Sequence, residues 1–168
     1  MARIKAHSVY AVLLALFLVA PLSAAPDPHQ NIEQNKAVAR QLFEVALNQD
    51  NWDVYNEIHS ADFVAHAGKL TAGLEEDLRD AKGWRQAFPD GRYSINFVVA
   101  EGDFVVVHFT GRGTNTGTWH GLPATGKQVE VAAISIFRIA GGKIVEEWTE
   151  YNKLSLLKQL GLAPPSSQ

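Results

Sequence analysis

The 168-residue chain contains no cysteine. That absence excludes disulfides, thiolate-held metal sites and a cysteine nucleophile, so packing alone must stabilise the fold. Basic residues are few: 15 Lys and Arg stand against 18 Asp and Glu, and nowhere do they cluster. A nucleic-acid partner calls for a positively charged face, which this composition does not encode. Long apolar runs are missing too, with one exception. Residues 9–20 are uncharged and apolar, Arg3 and Lys5 precede them, and Ser23-Ala24-Ala25 follows. This is the pattern of a secretory signal, too short for a permanent membrane span. Cleavage is expected after Ala24 or Ala25, with Pro26 disfavouring the later cut; an uncleaved anchor is the alternative. A released domain would be periplasmic or secreted. Residues 1–25 hold two basic and no acidic residues, so 13 basic and 18 acidic residues remain, a net charge of −5.

What is left suffices for one domain with a core of its own. We expect a flexible start at 26–34, a domain over 35–162 and a short tail at 163–168. From Asn31, Val38, Leu42, Val45 and Ala46 recur at helical spacing, and Trp52, Tyr55 and Ile58 mark a second, short helix. Residues 62–66 read as a brief extended piece broken by Gly68. Residues 70–88 read as a third helix, with Leu74, Leu78, Ala81, Trp84 and Phe88 on its apolar side and Glu75, Glu76, Asp77 and Arg79 in water. Pro89-Asp90-Gly91 stops it.

Beyond it the period falls to two. Tyr93, Ile95, Phe97 and Val99 alternate with polar residues, residues 104–110 are almost wholly apolar, and strands follow over 129–139 and 143–151. Lys153 to Leu160 closes the chain as a helix, with Gly161 as its C-terminal cap. Helices first and hairpin-linked strands afterwards argue an α+β fold, an antiparallel sheet with helices on one face. Such layers can enclose an apolar cavity, the default place for a ligand.

Candidate site residues follow from that layout. In β-strand alternation Glu146, Trp148, Glu150 and Asn152 share one side. With Trp148 pointing into a cavity, Glu146 beside it becomes a candidate acid or base; the plainer reading pairs Glu146 with Arg138. Asn152 either lines the pocket or caps the last helix. His66 is either a catalyst or a hydrogen-bonded core histidine, and His108, on the side of Phe104 and Val106, must find a partner or face a cavity. His59 and His120 read as surface or loop residues. No histidine pairs with an acid at ligand spacing, so no metal site is expected. Gly111, Gly113 and Gly117 do not form a phosphate loop, because a strand rather than a helix follows them. Trp119 and Pro123 of that loop are placed to fold over a cavity mouth.

Taken in order, His66, Trp84-Arg85 with Ala87-Phe88-Pro89-Asp90, Glu101-Gly102-Asp103, Gly113-Thr114 with Gly117 and Gly121, Gly142 to Glu146 with Trp148, and Gln159-Leu160-Gly161 resemble the SnoaL-like family of small polyketide (ester) cyclases. The resemblance implies a cone-shaped α+β barrel of the nuclear transport factor 2 type: a curved antiparallel sheet on N-terminal helices, closed by a C-terminal helix. It further implies a deep apolar pocket, a dimer or tetramer, and ring closure by an acid/base residue without metal or cofactor. Two positions depart from the pattern. Asn152 stands where those cyclases carry the catalytic Asp, and a neutral amide cannot take a proton from carbon. Asn115 stands where many relatives have His. The expected ligand is a small, largely apolar, carbonyl-bearing molecule. We assign proton transfer to His66 and Glu146, and ligand contacts to Asn152, His108, Asn115 and the walls Trp84, Trp119 and Trp148. A binding module without catalysis is the alternative that Asn152 favours.

Overall fold

In a computed structural model of the protein, residues 28–67 and 70–164 are described. The expected signal over 1–25 and Gly68 lie outside them. Helix α1 (Pro28–Gln41) starts inside the stretch expected to be flexible and runs on as a π-helical segment, Leu42–Leu47. Helix α2 (Trp52–Ile58) opens on Asn51, whose side chain accepts from the Val54 N–H at 3.2 Å. Then come β1 (His59–Ala67), β2 (Leu70–Gly73), α3 (Leu74–Ala87), β3 (Arg92–Glu101), β4 (Phe104–Thr114), β5 (Gln128–Ala140), β6 (Lys143–Tyr151) and α4 (Lys153–Leu160). Leu70 to Gly73, expected as the first turn of α3, pair with β1 instead; Gly73 is extended and the helix begins after it. No helix among the described residues is long and apolar enough to cross a membrane.

The six strands form one curved sheet in the order β2-β1-β6-β5-β4-β3. It is mixed rather than purely antiparallel, because β1 runs parallel to β6. Strands joined by tight turns must reverse direction, but β1 meets β6 only after the rest of the sheet is built, so no turn dictates its sense. The sheet curls without closing, ending in β2 and β3. Gly141 and Gly142, both at positive φ (59° and 75°), make the β5–β6 turn. Gly161 caps α4 in the left-handed conformation at φ 74°.

Helices α1 to α3 cover the concave face. Phe43 of the π-helical segment is 2% exposed and packs against Phe109 of β4 and Phe137 of β5, with ring centroids 4.6 and 6.2 Å away. In β4, Val105, Val107 and Phe109 point inward, while Phe104 and His108 point out.

Two bulges set the phase of the other strands. In β3, Ile95 pairs with Phe109 but Phe97 pairs with His108, so Asn96 is an extra residue. Tyr93 and Ile95 therefore pack on the core, and beyond the bulge Val98 and Ala100 take over that role. Phe97 and Val99, expected on the same side as Ile95, are exposed. In β6, Ile144 pairs with Ile139 and Glu146 with Arg138, which leaves Val145 unmatched. Ile144 is buried in the core, and after Val145 the inward set becomes Glu147, Thr149 and Tyr151. An added residue in a period-two structure exchanges the faces of everything after it.

Candidate functional site

A cavity of about 230 Å³ lies between the concave face and α3. Its apolar walls include Leu42, Phe43, Trp84, Phe109 and Trp119, and Leu156 of α4 contributes to the lining. Trp84 stacks on Phe88 (centroids 4.0 Å) and meets Trp119 edge to face at 4.9 Å. Asp80 accepts from the Trp119 indole N–H at 3.1 Å and lies 2.5 Å from His120 Nε2, pinning the loop that carries both aromatics.

Tyr55, Asp77, Ser135, Glu147 and Thr149 line the cavity, together with Asp80, Tyr93 and Tyr151. Asp77, Ala81 and Trp84 are spaced by four and three residues, so one face of α3 presents all three to the cavity. The Tyr55 hydroxyl donates to Asp77 Oδ2. Glu147 Oε1 accepts from the hydroxyls of Thr149 (2.5 Å) and Ser135 (3.3 Å). Beside them lies His59, 1% exposed, stacked on Tyr55 at 4.4 Å and met edge-on by Phe63 at 4.7 Å. Its Nδ1 is 2.6 Å from the Tyr55 carbonyl oxygen. A carbonyl can only accept, so Nδ1 carries the proton and Nε2 is a bare lone pair.

Burial dominates the protonation of this cluster, because desolvation penalises every charged form. The Glu147 carboxyl is raised to about 7, first by burial and then by the charge of Asp77, against the help of its two hydroxyl donors. Asp77 is also raised, chiefly by burial and further by Asp80. His59 is lowered to about 4 by burial, which keeps the ring neutral. The Tyr55 phenol is pushed far up by burial and by Asp77, so it stays a donor.

The residues singled out from sequence divide between the two sides of the sheet. Trp84 and Trp119 line the cavity. Glu146 and Trp148 are not among the cavity-lining residues; the Val145 bulge turns them to the convex face. There Glu146 pairs with Arg138 Nε at 2.6 Å, which holds its carboxyl below the ordinary range. His66, on β1 next to β6, stacks flat on Trp148 at 4.7 Å, with Nε2 3.6 Å from Glu146. His108 stacks on Phe97 and lies 3.2 Å from the Asn96 amide, also outside.

The two asparagines hold backbone. Asn152 caps α4, accepting from the Ser155 N–H at 2.8 Å, and is exposed. Asn115 is 1% exposed and braces its own loop: its side-chain oxygen accepts from Thr125, and its amide donates to the Gly117 carbonyl at 2.9 Å. His59, taken for a surface residue, is buried, and Asp77, taken for a wet one, faces the cavity. A signal existed for both: His59 lies one helical turn beyond Tyr55, and Asp77 one turn before Ala81 on the apolar stripe.

A helix-backed curved sheet around a cavity with acid groups inside is the fold of the nuclear transport factor 2-like class. The family model for SnoaL-like polyketide cyclases matches residues 37–160, and the chain belongs to that family. Solved structures agree. A SnoaL-like protein from Jannaschia sp. CCS1 is 26% identical at a TM-score of 0.76, covering 84% of this chain and 100% of its own. AclR from Streptomyces galilaeus, provisionally described as a hydroxylase, is 26% identical at 0.73, covering 82% and 87%. IdmH from Streptomyces antibioticus is 28% identical at 0.68, covering 76% and 99%. No match was found among curated proteins.

Proposed function

We propose that the protein binds a small, largely apolar ketone or ester in the cavity and moves a proton at the carbon next to its carbonyl, as in a cyclase or isomerase step. The observation carrying this reading is the placement of Glu147 and the Tyr55–Asp77 pair together inside a cavity with large apolar walls. A carboxylate there can take the proton, while an O–H donor stabilises the enolate oxygen. Glu147 is the acceptor, taking the role first assigned to Glu146 and His66. At about 30 Å³ per water, the cavity equals roughly eight water volumes, so it suits a ligand portion of the order of ten non-hydrogen atoms.

The test uses 2-tetralone, a bicyclic ketone of that size with an acidified C–H. In D2O the protein should accelerate deuterium uptake between ring and carbonyl, followed by NMR. Glu147→Gln should remove the acceleration and Glu146→Gln should leave it. Equal rates in wild type and Glu147→Gln would defeat the assignment. Saturable binding with no exchange would instead support the non-catalytic module that an Asn at position 152 favours. Export and assembly complete the proposal. The segment over 1–25 directs export to the periplasm or beyond, which the mass of the protein recovered from that fraction checks. A second copy covers the exposed apolar convex face, so Ile134→Asp should lower the sedimentation coefficient.

A further inference from the structure

We propose that His59, Asp77 and Glu147 form a binding site for one divalent transition-metal ion of the Zn2+ type, within the polar cluster of the cavity. The three residues come from the α2–β1 junction, α3 and β6. One ligand atom from each, an imidazole nitrogen or a carboxylate oxygen, lies within 4.8 Å of the other two. An ion with bonds of about 2.1 Å in tetrahedral geometry holds its ligand atoms about 3.4 Å apart, so side-chain shifts of the order of an ångström would close the triangle.

The cluster has too few protons for its lone pairs. His59 Nε2 is buried and finds no hydrogen-bond partner among the described residues. It cannot donate, because the Tyr55 carbonyl fixes the proton on Nδ1. The two neighbouring carboxylates are acceptors as well. Tyr55 gives its one proton to Asp77, and the hydroxyls of Thr149 and Ser135 both reach Glu147 through Oε1. Three acceptors gathered in one buried cluster can be reconciled by shared protons or by a cation. A dication also balances two buried negative charges, which is otherwise expensive in a desolvated place.

The surroundings are those of a built metal site. A ligating histidine usually donates its other N–H to a backbone carbonyl, as His59 does, and ligating carboxylates are themselves hydrogen-bonded, as Asp77 and Glu147 are. One imidazole with two carboxylates suits a first-row transition ion better than Mg2+ or Ca2+, which prefer oxygen alone. Asp77 and Glu147 line the cavity. Three protein ligands would therefore leave a fourth position facing it, the arrangement of catalytic rather than structural zinc. A carbonyl oxygen or a water would occupy that position.

The inference rests on the donor set and not on the proton-transfer reading; ion and protons compete for the same lone pairs, so the loaded and stripped proteins would support different chemistry.

Chelator-stripped protein titrated with Zn2+ by calorimetry should bind one equivalent. Co2+ in its place should give the visible absorption of a four-coordinate site, displaced by Zn2+. Asp77→Asn and Glu147→Gln, which keep shape and remove charge, should each weaken binding at least tenfold with the circular dichroism of the fold unchanged. Tyr55→Phe, which removes only a supporting hydrogen bond, should weaken it about tenfold. His66→Ala and His120→Ala, which alter the His–carboxylate pairs elsewhere, should not change it. Absence of a stoichiometric site in folded protein, binding indifferent to both carboxylate variants, or binding that follows His66 or His120 would overturn the proposal. The 2-tetralone exchange is scored separately on stripped protein, so either idea can fail alone.

Discussion

The two faces of the one sheet carry similar residue types and treat them in opposite ways. Glu146 and Glu147 are neighbours in sequence. The first sits on the convex side with a guanidinium beside it and a carboxyl held low. The second sits in the cavity with only hydroxyl donors and a carboxyl raised to about 7. Both His66 and His59 have an Nε2 without a hydrogen-bond partner among the described residues, but His66 lies flat against Trp148 on the convex side beside Glu146, whereas His59 is enclosed and neutral beside the cavity. The contrast teaches that chemistry here follows desolvation and not composition. A carboxylate with a cation beside it is quenched, and one enclosed with other acceptors is poised.

The largest test of the comparison is mechanical. Phe43→Ala removes a ring that is 2% exposed and should destabilise the domain by about 3–5 kcal/mol in urea unfolding. In the Ile134→Asp background, which leaves the convex face uncovered, Phe97→Ala removes a ring that is 52% exposed and should lose well under half of that. Equal losses would mean that the convex face is as closely packed as the concave one. Next comes Asn115→Ala, which removes the side-chain acceptor of the Thr125 N–H and hydroxyl and strands the Gly117 carbonyl; about 1–3 kcal/mol should be lost, visible as a lower melting temperature. An unchanged melting temperature would show that the bracing of this loop contributes nothing.

The smallest effect belongs to the convex ion pair. Arg138 lowers the folded-state pKa of Glu146, so the pair's stabilisation is present above the ordinary Glu range and is lost as pH falls through the folded value. The stability difference between wild type and Arg138→Gln should therefore be small near neutrality and vanish in acid, as measured by denaturant melts across pH. A difference that grows in acid would contradict the sign and the assignment of this carboxylate as quenched.

Much of the fold was legible because its signals are local. Strand β6 and helix α4 fall where alternation, Asn152 and Gly161 put them. The cluster was not legible, for two reasons. Nothing in the alternation of Tyr93, Ile95, Phe97 and Val99 betrays an extra residue at Asn96, and nothing in residues 143–151 betrays one at Val145. Partner strands impose both, so the side assignments of Phe97, Glu146 and Trp148 came out reversed. The histidine–carboxylate set, in turn, is assembled from three distant segments, and a search for close ligand spacing along the chain passes over it.

The unmatched residue at Val145 works as a phase switch. Downstream of it, what a side chain meets is settled by counting from the irregularity, whatever motif surrounds it. A gene that lost that one codon would leave Ile144 and Glu146 opposite the adjacent Ile139 and Arg138, a regular ladder that still aims Glu147 inward and Trp148 outward. Indels that fall on such an irregularity can thus pass without moving the site, a tolerance that comparisons restricted to substitutions would overlook.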